Sequence, residues 1–228
     1  NALVRRLPVV ESLGSVDVIV TDKTGTVTEN EMTVTRLYAS GSVIDLSELG
    51  PSSATGDGDS QQVAANGDQR RDSDVAPLLR CGTLCNNVDR TDDGEYRGEP
   101  TEIALRRIAD DADIESAGER VREIQFSSER KRMTVIVGDG EPTAYLKGAP
   151  ETVLERCDSV LEDGGVQELT DEKRQGILDE TQSFAADALR VLGFASKSVE
   201  DPSADADQIE EDMVFLGLQG MLDPPREE

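Results

Sequence analysis

Short apolar runs separated by polar turns recur along the chain and predict β-strands. The clearest signal is 133–148, MTVIVGDGEPTAYLKG, in which two β-rich runs flank Asp139-Gly140 and predict a hairpin. A shorter strand pair is predicted on either side of Gly41. The predicted strands cover 34–39, 43–46, the weakly alternating 121–126, both halves of 133–148, 191–195 and 214–219.

Apolar residues at helical spacing predict helices between these strands. Pro100 suits the first turn of the second helix, and Pro150 opens the third. Adjacent hairpin strands flanked by helices favour an α+β fold over a regular βαβ alternation. The predicted apolar stripes are Val75-Leu78-Leu79-Cys85, Ile103-Ala104-Ile108-Ala112, Val153-Leu154-Cys157-Leu161 and Ile177-Leu178-Phe184-Ala188-Leu189.

Residues 50–74 interrupt this pattern with a stretch rich in Gly, Ser, Asp and Gln that cannot bury a core. We predict a flexible insertion or a long surface loop there. The apolar runs fall far short of the roughly 18 residues that a membrane-spanning helix needs. Because the chain begins at Asn1 without a secretory-type leader and ends at Glu228, we expect it to be a piece of a longer protein.

The charge balance is strongly acidic and narrows the possible functions. Forty-eight Asp and Glu against 23 Lys and Arg give a net charge of −25, and the chain has no histidine. Sites that need imidazole are therefore excluded, and a nucleic-acid binder is disfavoured because it would need a basic face. The acidic charges repel one another in dilute buffer, and an excess of acid of this size is a trait associated with halophiles. Acidic disorder is the alternative, but the periodic apolar segments disfavour it.

The three cysteines are not arranged as a reactive or metal-binding group. Cys81 and Cys85 lie four residues apart in an apolar helical pattern, which favours two small core residues over two ligands. Together with Cys157 they make an odd number without a secretory context, which indicates a reducing interior. We assign them no function.

One apolar run ends on a carboxylate in a polar loop, VDVIVTDKTGTVTENEMTV, residues 16–34. Strands of this kind often present a reactive group at the carboxyl edge of a sheet, although Asp and Gly also form ordinary turns. The carboxylate of Asp22 could attack phosphorus and form an aspartyl phosphate. Such an attack requires a cation, so Mg²⁺ is expected at Asp22 and Thr24, with Lys23 adding a positive charge. Sequence signatures of P-loop, dinucleotide-binding and serine-hydrolase sites are absent.

This segment resembles the signature of the P-type cation-transporting ATPases of type II, and calcium pumps give the nearest overall likeness. Further segments follow in the order found in that family, and the resemblance covers nearly the whole chain apart from 50–74. These segments are GEPTEIAL at 98–105, FSSERKRM at 126–133, KGAPE at 147–151, ALRVLGFA at 188–195 and MLDPPRE at 221–227.

The resemblance implies a mostly antiparallel sheet flanked by helices, forming a nucleotide-binding domain inserted into a phosphorylation domain of the haloacid dehalogenase type. By this resemblance, 1–31 are the stalk end and the first, incomplete α/β segment of the phosphorylation domain. The nucleotide-binding domain would be 32–219, and 220–228 would be the hinge back. Asp22 would be phosphorylated by ATP with Mg²⁺, while Thr24 stands where related phosphatases place a second aspartate, so the phosphoenzyme would not be hydrolysed at once.

The resemblance also implies an adenine pocket. Phe126 would stack on the base, Lys147 would lie beside the adenine or ribose, and Arg190 would reach the phosphates. Some relatives have arginine where Ser128 stands, and Arg130 or Arg132 could replace that contact. The residues implied in nucleotide binding are Glu102, Phe126, Lys131, Met133, Lys147, Gly148 and Arg190, together with Asp223 and Arg226 at the hinge.

The whole protein would then be a cation pump of the plasma membrane, with this chain on the cytoplasmic side. Its partners would be ATP and the remaining phosphorylation, actuator and transmembrane domains of the same chain, with no nucleic acid, and the piece itself would be monomeric. The main alternative is a nucleotide-sensing module without turnover. A soluble phosphatase is a second alternative, which Thr24 disfavours.

Overall fold

The computed structural model describes residues 31–46, 69–91, 93–114, 118–138 and 141–223. Four residues with predicted roles, Asp22, Lys23, Thr24 and Arg226, lie outside these ranges, as does most of the predicted insertion at 50–74. The described helices are all too short or too polar to cross a lipid bilayer.

The described elements mix strands and helices, as the sequence pattern predicted. The helices are α1 Gln69–Leu84, α2 Pro100–Asp111, α3 Pro150–Leu154, α4 Asp171–Ala186 and α5 Ala206–Ile209. The strands are β1 Thr33–Ala39, β2 Ser42–Asp45, β3 Asp89–Arg90, β4 Tyr96–Arg97, β5 Arg120–Ile124, β6 Arg132–Val137, β7 Thr143–Gly148, β8 Cys157–Glu162, β9 Gly165–Glu168, β10 Arg190–Ser198 and β11 Met213–Leu222.

Within the described ranges, nine strands form one mostly antiparallel sheet. Seven of them follow the order β2-β1-β11-β10-β7-β6-β5, and β8 and β9 extend it, since β8 pairs with β11 and with β9. Strand β3 pairs only with β4. Strand β11 is its central member. One edge of β11 pairs with β10, whereas its other edge pairs with β1 near its end and in parallel with β8 near its start. Thr33 at the start of β1 pairs with Leu222 at the end of β11, so the chain enters and leaves the sheet on neighbouring strands.

Helices cover both faces of the sheet and bury two main apolar clusters. On one face, α1 and α2 pack against β1 and against Phe194 of β10. On the other face, α3 and α4 pack against alternate residues of β6, β7 and β11, including Ile136 and Leu146. Because neighbouring residues of a strand point to opposite faces, each strand of the centre contributes to both clusters.

A buried aspartate connects two hairpin turns to α1. Asp74 accepts a hydrogen bond from the Ser40 hydroxyl at 2.7 Å and another from the Gly164 amide at 3.0 Å. Ser40 and Gly41 both have positive φ, as a tight hairpin turn with the right twist requires. Ser40 lies at the end of β1 away from Thr33, so this contact stabilises the far end of the sheet.

Two helices are shorter in the structure than the sequence pattern predicted. The helix that opens at Pro150 ends at Leu154, and Cys157–Glu162 forms strand β8 because it pairs with β11 and β9. Helix α4 ends at Ala186, so Ala188 and Leu189 lie beyond it. The hairpin of β6 and β7, the β1–β2 pair, the α+β class and the burial of Cys81 and Cys85 are confirmed.

Candidate functional site

Five strands bring their ends together at one end of the sheet, called here the site end. It comprises the last residues of β5, β7 and β11 and the first residues of β6 and β10. Antiparallel pairing produces this arrangement, because neighbouring strands run in opposite directions. The registers that define it are Ile124↔Thr134, Arg132↔Gly148, Gly193↔Gly148 and Arg190↔Met221.

Residues predicted from four separate sequence segments lie at the site end. Phe126 follows β5 by two residues, and Lys131 immediately precedes β6. Gly148 is the last residue of β7, and Arg190 is the first of β10. Asp223, half-buried, follows β11 directly. The sheet therefore collects side chains that are almost one hundred residues apart in sequence.

Lys147 forms the central ion pair of the site. Its Nζ lies 2.6 Å from Oε1 of Glu102, and the lysine residue is only 8% exposed. Lys147 pairs with Met133 on one side and with Phe194 on the other, so all three side chains share the face covered by α1 and α2. Met133 is buried with Val135 in the core beneath this ion pair.

Glu102 lies in the first turn of α2, where a carboxylate is favoured by the helix dipole. Its second oxygen accepts a hydrogen bond from the Asn87 backbone amide at 3.2 Å, and its carbonyl accepts one from the Asn86 side chain at 2.8 Å. Arg120 completes this arrangement, since its guanidinium contacts the Asn87 side chain at 2.6 Å and the Asn86 carbonyl. Asn86, Asn87 and Arg120 belong to none of the sequence motifs, and the adjacent pair of asparagines after α1 is the available signal for them.

Phe126 differs from every other phenylalanine in the chain. Its side chain is 61% exposed, whereas Phe184, Phe194 and Phe215 are at most 1% exposed. A phenylalanine is ordinarily a core residue, whereas the exposed ring of Phe126 is accessible to a flat ligand. The position is therefore suited to stacking rather than to packing.

Gly148 is required by the close approach of two chain segments. A Cβ at this position would lie 2.6 Å from the Lys131 carbonyl oxygen and 2.9 Å from the Arg132 Cα. Lys131 itself has φ of +51°, a conformation that costs energy for a residue other than glycine, and its carbonyl accepts the Ala149 amide at 3.0 Å. These contacts fix the Lys131 backbone against the end of β7.

Arg190 contacts the start of α2. Its guanidinium donates to the Thr101 hydroxyl at 2.9 Å, and the arginine side chain is exposed. Thr101 precedes Glu102, so Arg190 and Lys147 both reach the first turn of the same helix. The cationic groups of Arg190 and Lys147 beside a helix start favour the binding of anions.

The two arginines proposed as substitute phosphate contacts have another partner. Arg130 and Arg132 both bind the carboxylate of Glu210, which is fully buried. Burial raises the pKa of Glu210, but hydrogen bonds from Arg130, Thr134 and Arg132 outweigh burial and leave this pKa below its ordinary value. Because Arg132 precedes Met133 in β6, its side chain points to the face opposite Lys147.

The expected Mg²⁺ ligands Asp22 and Thr24 lie outside the described residues, as does Lys23, and Arg226 lies just beyond their end. Among the described residues, no group of three or more His, Cys, Asp or Glu is arranged to hold a metal ion. The part of the site that the structure describes is therefore the part expected to contact the nucleotide.

Comparison with known proteins identifies the family. Residues 74–228 match the family described as P-type ATPase, cytoplasmic domain N. Calcium-transporting ATPase 1 of Bacillus cereus is 37% identical over 234 residues, covering 100% of this chain and 24% of that protein. Cation-transporting ATPase pma1 of Synechocystis is 41% identical, covering 100% and 26%. Calcium-transporting ATPase 1 of Saccharomyces cerevisiae is 38% identical, covering 99% and 25%.

The chain thus spans about a quarter of the length of these relatives. Its antiparallel sheet, the motif residues gathered at the site end and the family match over more than half of its length agree with one another. The chain belongs to the P-type ATPases, as a member of the cytoplasmic domain N family.

Proposed function

We propose that this chain is the ATP-binding part of a calcium-transporting P-type ATPase, in which ATP bound at the site end phosphorylates Asp22. The observation that supports this most directly is the meeting of Phe126, the Lys147–Glu102 pair and Arg190 at one end of the sheet. These residues come from separate sequence motifs, and antiparallel pairing of the strands brings them to the same end.

The described residues fit a nucleotide. The exposed ring of Phe126 offers a stacking surface for the base, and Glu102 offers a carboxylate that can accept from an exocyclic amine. Lys147, Lys131 and Arg190 offer cationic donors for ribose and phosphate oxygens. ATP with Mg²⁺ supplies the transferable phosphoryl group, whose negative charge the cation neutralises.

The proposal extends to the whole protein. Relatives from Bacillus cereus and Saccharomyces cerevisiae are named calcium-transporting ATPases, which favours calcium as the transported ion. The remaining phosphorylation, actuator and membrane domains would belong to the same chain, and the plasma membrane is the proposed location. In that setting, Thr24 in place of a second aspartate would preserve the phosphoenzyme long enough to drive transport.

Calorimetric titration of this chain with ATP tests the site. We expect Phe126→Ala and Lys147→Ala each to weaken binding by about tenfold, since a lost stacking contact costs about 1–3 kcal/mol. Val166→Ala, another exposed apolar side chain, and Lys173→Ala, whose Nζ lies 2.6 Å from Oε2 of Glu162 away from the site end, are the matched controls and should bind normally. Unchanged affinity in both site variants would remove the assignment.

Phosphorylation separates a pump from a nucleotide-sensing module. In the complete protein, γ-labelled ATP should label Asp22, and Asp22→Asn should abolish the label, because amide nitrogen and oxygen are poor nucleophiles toward phosphorus. Nucleotide binding without any label on the complete protein would favour the sensing module instead.

A further inference from the structure

The segment that carries Phe126 and Lys131 is held from the opposite face of the sheet. Glu210, just after α5, accepts hydrogen bonds from the Thr134 hydroxyl at 2.6 Å and from Arg132 Nε at 2.7 Å, and it also binds Arg130. We call Glu210 with Arg130, Arg132 and Thr134 the Glu210 cluster. Its carboxylate is 0% exposed, so all of its charge is compensated by these neighbours.

Arg130 transmits this contact to Phe126. One terminal nitrogen of its guanidinium binds Glu210, and the other donates to the Gln125 carbonyl oxygen at 3.1 Å. That carbonyl belongs to the peptide bond that joins Gln125 to Phe126. Because the Phe126 ring is largely exposed, its position depends to a large extent on the backbone of its own segment.

Arg132 acts in the same way on Lys131. Its guanidinium contacts both Glu210 and the Arg130 carbonyl, the latter at 3.3 Å. Lys131 therefore stands between two arginines held by one carboxylate, in its unfavourable backbone conformation with φ of +51°. The surroundings must maintain such a conformation, and the Glu210 cluster contributes to this from the opposite face, in addition to the contacts with Gly148 and Ala149.

We infer that Glu210 is a positioning residue for the nucleotide site, and that Arg130 and Arg132 connect it to the site rather than bind phosphate. This inference rests on the proposed function. It assigns to a residue some eighty positions away from Phe126 the task of fixing the stacking ring and Lys131 before the nucleotide arrives.

The test is ATP affinity, measured by calorimetry on folded protein, for Glu210→Gln and Arg130→Lys. Glu210→Gln removes the charge with little change of shape. Arg130→Lys keeps the positive charge but cannot bridge Glu210 and the Gln125 carbonyl, because lysine lacks the planar fork of arginine. We expect each to weaken ATP binding by about fivefold, within the range of interaction energies found for residues in one network.

A control variant separates positioning from general loss of stability. Asp74→Asn removes another buried carboxylate that holds turns, but at the far end of the sheet, so it should lower stability to denaturant while leaving ATP affinity unchanged. The double variant Glu210→Gln with Phe126→Ala should bind more weakly than Phe126→Ala alone, but by a smaller factor than Glu210→Gln weakens the unaltered chain, since only the positioning of Lys131 is then left to lose.

The outcomes distinguish this inference from the proposed function. If Phe126→Ala and Lys147→Ala do not affect binding, the proposed function fails. If they do, while folded Arg130→Lys binds ATP normally, only the role of Glu210 is overturned. Equal losses of affinity in Asp74→Asn and Glu210→Gln would also overturn it, by showing a general effect of stability. Should Glu210→Gln fail to fold, Arg130→Lys decides the question.

Discussion

At the scale of single residues, burial determines what the three cysteines can do. Burial raises the pKa of the Cys85 thiol to about 11 and that of Cys157 to about 12, and the pKa of Cys81 is also raised. Each thiol has a carbonyl acceptor, such as Met133 for Cys85 at 3.5 Å. The reactive thiolate is therefore scarce at neutral pH, and the sulfur atoms are shielded from solvent.

We predict that none of the cysteines reacts with a thiol reagent at pH 8 while the chain is folded. A raised pKa keeps the thiol protonated until the pH approaches that pKa, so reactivity should appear on unfolding rather than on moderate alkalinisation. Ellman's reagent followed by absorbance measures this. Val166→Cys, at an exposed strand position, should react at once as the positive control. Rapid labelling of native Cys81, Cys85 or Cys157 would contradict the prediction.

Single residues also show which contacts of the fold the sequence motifs indicate and which they leave undetermined. The motifs identified Lys147 and Glu102, and the structure joins them at 2.6 Å. They did not reveal that Arg130 and Arg132 bind Glu210, because that partner lies 80 and 78 residues later in sequence, respectively. A guanidinium can bind any nearby carboxylate, and local sequence does not say which one the fold brings near.

At the scale of elements, the turn that ends α4 places an alanine, Ala188, in a backbone conformation that glycine would adopt at lower energy. The Leu189 amide donates to the Phe184 carbonyl at 3.1 Å, and the Ala188 amide donates to the Ala185 carbonyl at 3.0 Å. This is the Schellman pattern, which places residue 188 in the left-handed region, with φ of +60°. Glycine is the usual residue there, whereas alanine is disfavoured by contact of its Cβ with the backbone.

We predict that Ala188→Gly stabilises the chain by about 1 kcal/mol, since the relief of left-handed strain exceeds the added freedom of glycine in the unfolded state. Ala188 is exposed, so no cavity forms. The matched control, Ala185→Gly inside the same helix, should destabilise the chain by about 1 kcal/mol. Urea unfolding followed by circular dichroism measures both. Destabilisation by both substitutions would contradict the assignment of the Schellman turn.

Elements formed by neighbouring residues were predictable, whereas elements formed by distant pairing were not. The β6–β7 hairpin follows from two β-rich runs around a turn, all within one short segment. Residues 157–161 were instead assigned to the helix that opens at Pro150, because Val153, Leu154 and Cys157 fit its spacing. Their pairing with β11, more than fifty residues later, made them a strand.

At the scale of the whole molecule, the acidic net charge affects both folding stability and the binding of an anionic ligand. The net charge of −25 should act against the fold and against an anionic ligand at the same time. Buried carboxylates such as Glu210 and Asp74 have hydrogen-bond partners, so the repulsion comes mainly from exposed acids, such as those of α4. Dissolved salt screens exposed charges far more than buried pairs.

We predict that thermal stability and ATP affinity both rise as KCl increases from tens of millimolar to molar. The Debye length falls from roughly 30 Å at about 0.01 M salt to roughly 3 Å at about 1 M, so surface acids cease to reach the site. Thermal melts and ATP titrations across a KCl series measure this. Chloride of another monovalent cation at equal ionic strength is the control. A chain indifferent to salt in both measurements would argue against a halophilic adaptation.

The pairing of Thr33 with Leu222 places the start of β1 beside the end of β11 at one end of the sheet. This is the same end of the sheet that collects Phe126, Lys131 and Arg190. If the described residues rotated as a rigid unit about the paired ends of β1 and β11, atoms near these ends would move least and distant atoms would move most. Because β11 is 10 residues long, its first residue lies roughly 33 Å from its last and would move furthest in such a rotation. A nucleotide bound at the site end would lie close to the axis of this rotation and would change its position little.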